Sequence, residues 1–347
     1  MFCKIKALHA LGVEITLHCF QYGRAKAPEL EKYCSKVYYY PRKTSLFQLF
    51  SSEPFIVNSR RSEELLKNLQ SDEAPVLFEG LHCCAYVSHP ALKNRRKIVR
   101  THNIEHDYYR ALAKVEKKWT KRQYFRREAN KLEQFEAVLN NAQHILAISP
   151  ADAEYLAAKY KNVQHVMAFH ANDEVNIREG KGSFAFYHGN LEVGENNQSA
   201  LFLVNEVFSG INYPLVIAGN NPSKELTAAS NAARNVTLKP NITTEEIDEL
   251  ISGAHVNILP TLQATGIKLK LLAVLMRGRH CLVNSPMVAN TGLESLCVIR
   301  EDAAAMRKSL LELKDVPFTT ADIELRKKVL DERFSNQSNA KKILRLI

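Results

Sequence analysis

No apolar run in this sequence approaches the roughly 18 residues that a bilayer-spanning helix needs, and no signal peptide opens it. Membrane-spanning and secreted classes are set aside on that basis, and a cytoplasmic location is expected. No CxxC pair occurs among the seven cysteines, Cys3, Cys19, Cys34, Cys83, Cys84, Cys281 and Cys297. Their odd number and mostly apolar surroundings predict buried thiols rather than disulfides or a zinc site. No short-period repeat is present, so a solenoid is not expected. The four Asn-x-Ser/Thr triplets, at Asn197, Asn235, Asn241 and Asn336, are then expected to be chance matches.

What is present is a chain of 347 residues, 46% hydrophobic and 24% charged, long enough for two globular domains. Its net charge of +10 is unevenly placed. Residues 1–170 hold 27 Lys and Arg against 17 Asp and Glu, whereas residues 171–347 hold 20 of each. Residues 91–131 alone carry 14 basic and 4 acidic side chains. Such a segment attracts phosphate, anionic lipid or nucleic acid; the alternative is a solvated helix face.

Short apolar stretches alternate with segments of helical period. The expected strands are 13–20, 36–40, 75–80, 97–102 and 144–149, then 163–169, 184–191, 214–220, 235–240, 255–261, 280–284 and 297–301. Residues 115–139 read as one helix, with Val115, Trp119, Phe125, Ala129, Leu132, Phe135 and Leu139 near a common face. Ser149-Pro150 predicts a helix start, and Thr243 with Glu246 predicts a capping box. Strands apolar on both faces, alternating with helices, predict parallel sheets covered on each side. The expected architecture is α/β, two Rossmann-like domains facing a cleft. Residues 1–170 form the first, 171–335 the second, and 336–347 a closing helix. Ligands of such sheets bind beyond the carboxyl ends of strands, where Glu79 to His82, Thr101 to Asn103, His188 to Asn190, Gly219 to Asn221 and Thr261 to Lys270 fall.

The series YHGN, VIAGN, NILPT and TGIKLKLL, with Gly278 and Asn284 downstream, resembles the donor domain of GT-B glycosyltransferases. The likeness is to the large retaining group 1, or family 4, enzymes. LGVEITLHCF, THNIEHDYY and ILAISPADAEYL resemble the acceptor domain of the same family. The resemblance implies transfer of a sugar from a nucleotide-sugar to a glycan or lipid-linked acceptor, with retention of configuration and without metal or other cofactor. Charge grows on the leaving diphosphate as the glycosidic bond breaks, so backbone N–H groups and cations aimed there lower the barrier. On that reading Gly189, Asn190, Gly219, Asn220, Thr265, Gly266, Ile267, Lys268 and Lys270 bind the donor. His102 is the catalytic candidate, and Glu79, His82, Asn103 and His106 lie on the acceptor side. For Lys268 a solvated helix face, and for His102 a structural hydrogen bond, are the competing readings.

The sequence departs from the family pattern in two places. The family's two glutamates correspond to Thr265 and Ala273, so the ribose-gripping carboxylate has no counterpart. Met1 also falls within what resembles the first acceptor-domain helix, and a strand and glycine loop, on the order of 15–25 residues, are expected ahead of it. These departures leave an inactive, truncated relative or scaffold as the alternative function. The basic 91–131 segment is expected to contact an anionic membrane at the inner face of the cell. Nucleic acid is not expected as a partner, because Tyr108, Tyr109, Trp119, Tyr124 and Phe125 fit a helix core face better than a stacking platform.

Overall fold

The computed structural model describes residues 1–347 apart from 22, 24, 46, 47, 49, 50, 117 and 263–268. The expected donor residues Thr265, Gly266, Ile267 and Lys268 therefore lie outside the described residues. The chain divides into two compact units, Met1–Phe169 with Asn336–Ile347, and His170–Ser335.

In the first unit α1 (Phe2–His9) leads to β1 (Thr16–Gln21) and β2 (Lys36–Pro41). The short α2 (Phe55–Asn58) and α3 (Glu63–Leu69) precede β3 (Val76–Glu79) and β4 (Lys97–Thr101). Then come α4 (Glu105–Val115), α5 (Trp119–Phe135), β5 (His144–Ala147), α6 (Pro150–Ala157) and β6 (Val163–His165). Strands β3, β4, β5 and β6 form one parallel sheet, and β1 and β2 form a separate parallel pair. All five residues of β4 are buried, including two cations whose charge would be costly without partners. Lys97 Nζ donates to the Leu92 carbonyl at 3.0 Å, and Arg100 donates to the Met167 carbonyl at 3.0 Å. Ser149 caps α6 as its sequence predicts, accepting from the Asp152 N–H.

The predicted helix over 115–139 is broken. Glu116 and Lys118 adopt extended backbone angles, so α4 and α5 form a hairpin. The Glu116 carboxylate accepts from the Lys118 N–H at 2.9 Å and its carbonyl accepts from Arg122 at 3.1 Å, which holds the turn. The break changes the phase of the helix. Ala129, Leu132 and Leu139 are buried, but Trp119 is 68% exposed.

The second unit contains β7 (Ala185–His188), α7 (Gly194–Phe202), β8 (Leu215–Gly219), α8 (Lys224–Ala232), β9 (Val236–Pro240) and α9 (Thr244–Gly253). It continues through β10 (Val256–Leu259), α10 (Leu269–Arg277), β11 (His280–Val283), α11 (Ser285–Val288), β12 (Val298–Ile299), α12 (Ala303–Leu313) and α13 (Thr320–Phe334). Among the described residues its six strands run parallel in the order β12-β11-β10-β7-β8-β9. The order reverses between β7 and β10, which is where doubly wound sheets place their ligands. The capping box at Thr243 and Glu246 is present.

The last helix, α14 (Asn336–Leu344), returns to the first unit. Its Ala340 and Ile343 share a core with Leu8 of α1, Ile98 of β4 and Leu146 of β5. Among the described residues no helix is long and apolar enough to cross a membrane.

Candidate functional site

Each unit gathers polar side chains at the carboxyl ends of its strands. In the first, Glu79 ends β3 and His102 follows β4, the neighbouring strand. Their side chains meet, His102 Nε2 lying 3.2 Å from Glu79 Oε2. Lys4 of α1 donates to the other carboxylate oxygen, and Arg100 Nη1 stands 3.6 Å from Glu79. Burial works to raise the Glu79 pKa, but Lys4, the His102 hydrogen bond and Arg100 outweigh it and hold the carboxyl well below its usual range. Glu79 is thus an ionised carboxylate that can orient the His102 ring.

Gly80 follows with φ +85°, and a Cβ there would sit 2.4 Å from the His82 ring. Only glycine lets the chain turn here while His82 folds back over it. His82 Nδ1 lies 3.6 Å from Glu105, and the His82 and His102 ring centroids are 6.1 Å apart. Burial lowers the His82 pKa, but hydrogen bonding to Cys83 and Glu105 more than offsets it, and the value rises to about 9. The imidazole is therefore a cation at neutral pH. Asn103 is half-buried, with a buried Oδ1 that has no hydrogen-bond partner among the described residues. His106 belongs elsewhere. It is buried against Glu136 and Tyr155, each 3.4 Å away, in a network joining α4 to α6.

In the second unit the ends of β7 and β10 lie side by side at the switch point. His188, the last residue of β7, is buried and stacks on Phe186. Burial, then the nearby Lys270, lower its pKa to about 3, so the ring is neutral. Its Nε2 has no hydrogen-bond partner among the described residues. Lys270, in the first turn of α10, donates to Asn196 Oδ1 at 3.1 Å and lies over the Tyr187 ring. Thr261 after β10 is clamped by Asn284, whose amide accepts from the Thr261 N–H at 3.0 Å and donates to its carbonyl at 2.7 Å. The Glu195 carboxylate accepts from the Thr261 hydroxyl and, at 3.2 Å, from the Leu262 N–H.

The predicted glycines have a steric role. A Cβ at Gly219 would lie 1.9 Å from the Gly189 carbonyl oxygen, so β7 and β8 close together only with glycine there. Asn190 shapes the turn into α7, accepting from the Glu192 N–H at 3.2 Å through its side chain and from Asn196 at 3.0 Å through its carbonyl. Asn220 is exposed. Sequence reasoning missed Lys4, Arg100 and Glu105 in the first unit, and the Thr261–Asn284 clamp in the second. Lys4 stands 75 residues from Glu79 and carries no local signal of the pairing.

No family model matches the chain. An uncharacterized 44.6 kDa protein in the cps region of Klebsiella pneumoniae is 27% identical over 294 residues, 77% of this chain and 73% of that protein. Among solved structures, a glycosyltransferase from Rickettsia africae ESF-5 gives a TM-score of 0.62 at 12% identity, covering 99% of this chain and 93% of that one. UGT2 of Phytolacca americana gives 0.60 at 11% identity over 99% and 95%. It is also known complexed with UDP-2fluoro-glucose and pterostilbene. TarM gives 0.59 at 14% identity over 84% of this chain, which spans only 57% of TarM. Together with the parallel sheets, these likenesses show an α/β chain with the GT-B fold.

Proposed function

We propose that the chain is a glycosyltransferase of the retaining kind, moving a sugar from a nucleotide-sugar to a glycan or lipid-linked acceptor. The observation that carries the reading is the charge at the helix starts of the second unit. Carboxylates stand at α7 (Glu195), α8 (Glu225) and α9 (Glu245, Glu246). They also stand at α11 (Glu301 on Ser285), α12 (Asp302) and α13 (Asp322). Each neutralises the positive end of its helix dipole. The first turn of α10 has no acidic residue, carries Lys270, and follows a strand at the switch point. It is the helix start best suited to a diphosphate, with Lys268 as the second cation. His188 Nε2 offers a neutral hydrogen-bonding group beside it.

In the first unit, Glu79 holds His102 for contact with the reacting sugar or acceptor, and the protonated His82 adds positive charge. Fixed N–H groups and cations that meet the growing charge of the leaving diphosphate supply the main stabilisation, and no metal or other cofactor is called on. The cps-region relative points to a surface polysaccharide as the product. An inactive relative is the second reading, favoured by the Lys4 ammonium seated on Glu79 and by Ala273 in place of a ribose-gripping carboxylate.

The test is incubation with UDP-, GDP- and ADP-sugars and glycan acceptors, following nucleoside diphosphate release and the anomeric proton coupling of the product. Release with the donor's anomeric configuration kept is expected. An inverted product refutes retention, and a folded chain that binds and turns over no donor refutes the transferase and leaves the inactive reading.

A further inference from the structure

We propose that the tip of the α4–α5 hairpin docks on an anionic lipid surface, with Trp119 entering the headgroup layer and the cations around it meeting lipid phosphates. The inference rests on the surface of the first unit alone and does not depend on the transfer reaction.

Trp119 is the chain's one tryptophan, and it stands 68% exposed at the first position of α5, directly after the turn. Apolar side chains exposed singly are common; what sets this one apart is a large ring with one apolar body and one polar N–H, set among cations at a helix start. The structure also sorts the basic excess of residues 91–131. Arg95, Lys97 and Arg100 point inward, where carbonyls and carboxylates hold them. Lys114, Lys118, Lys121, Arg126 and Arg127 stay exposed on the hairpin.

The acidic side chains of the hairpin do not balance them. Glu105 and Glu128 are buried, and Glu116 is half-buried against Lys121 at 3.1 Å. The exposed Asp107 and Glu133 are both held by Arg110, at 3.3 and 2.5 Å, at the end of the hairpin away from its turn. Tryptophan beside lysine and arginine, on a helical tip with little opposing charge, matches the interface of an anionic bilayer, where the ring sits among headgroups and each cation adds to the attraction. A stacking platform for nucleic acid would need a row of exposed rings. Tyr108, expected on a core face, is exposed, but it lies near the start of α4, away from Trp119, while Tyr109 and Phe125, with centroids 5.8 Å apart, pack against one another across the hairpin.

A sole tryptophan makes the test direct, since the full chain's tryptophan emission reports this residue. Vesicles of phosphatidylcholine with about 30 mol% phosphatidylglycerol are expected to shift the emission to the blue, brominated acyl chains to quench it, and the protein to sediment with them. Pure phosphatidylcholine vesicles are expected to do none of these. The triple variant K114Q/K118Q/R126Q should partition on the order of 100-fold more weakly, at roughly fivefold per charge. W119A should sediment less with unchanged circular dichroism. The proposal is overturned if anionic vesicles leave the emission unshifted, or if the triple variant partitions like wild type. It is overturned equally if a DNA or RNA oligonucleotide binds the tip while vesicles do not.

Discussion

Replacing Glu79 with glutamine keeps the size of the side chain and removes the charge that Lys4 and Arg100 face. The side chains of Lys4 and Glu79 are only 6% and 11% exposed, so water cannot take over as counter-charge without rearrangement. Breaking one side of a buried pair typically costs about 3–5 kcal/mol. An upper bound follows from the lysine itself. Neutralising an amine with its ordinary pKa of 10.5 at pH 7 costs about 5 kcal/mol, and beyond that Lys4 loses its proton instead.

The pH dependence follows by linkage. In the wild type the Glu79 pKa is depressed on folding, so its contribution is present above the unfolded carboxyl value and is lost as pH falls through the folded one. In E79Q the folded Lys4 pKa, already lowered by burial, drops further below the unfolded value. The unfolded state then binds more protons between those two values, and the variant regains stability as pH rises toward 10.5. K4M leaves Glu79 with Arg100 and His102, so it should cost less than E79Q, and K4M/E79Q should recover most of the loss. Urea denaturation followed by circular dichroism between about pH 6 and 10 measures all three. An E79Q stability within about 0.5 kcal/mol of wild type, or a deficit that does not shrink with pH, would show that Glu79 is not the counter-charge of a buried Lys4 ammonium.

Three further outcomes are expected. G219A forces a backbone displacement against the Gly189 carbonyl and should destabilise the second unit by about 1–3 kcal/mol, read from the denaturation midpoint. N235A removes an amide that donates to the Phe208, Ile211 and Tyr213 carbonyls at 3.0, 3.0 and 3.3 Å, and should cost about 1–3 kcal/mol in the same assay. His188, with a folded pKa of about 3 against 6.5 unfolded, takes up its proton only on unfolding, so the wild type loses stability as pH falls through that window. H188F should lack that component, making the wild-type loss between pH 7 and 4.5 larger by roughly 2–3 kcal/mol; equal losses would show that the ring is not held neutral.

The strands were legible because their buried stretches are mostly apolar and are ended by turn residues, and every expected segment overlaps one. The glycine and histidine turns after β3, β4, β7 and β8 were legible for the same reason, since they end those runs. The α4–α5 break was not. Glu116, Lys117 and Lys118 include neither proline nor glycine, and the turn depends on side-chain hydrogen bonds of Glu116 and Arg122 that local propensity does not report. The Lys4–Glu79 pair was hidden because burial of a lysine depends on tertiary packing, not on its neighbours in sequence. Asn284 was read as a motif residue, but its hold on Thr261 joins two strand ends that only the sheet order brings together.

The first turn of α10 is the proposed diphosphate site. Isothermal titration of UDP, GDP and ADP into the wild type and into K268A/K270A tests it most directly. At least one nucleoside diphosphate is expected to bind the wild type. The double variant is expected to bind that ligand more weakly by at least about tenfold, the loss of one charge-assisted hydrogen bond. Binding of none of the three, or equal affinity in wild type and variant, would contradict it.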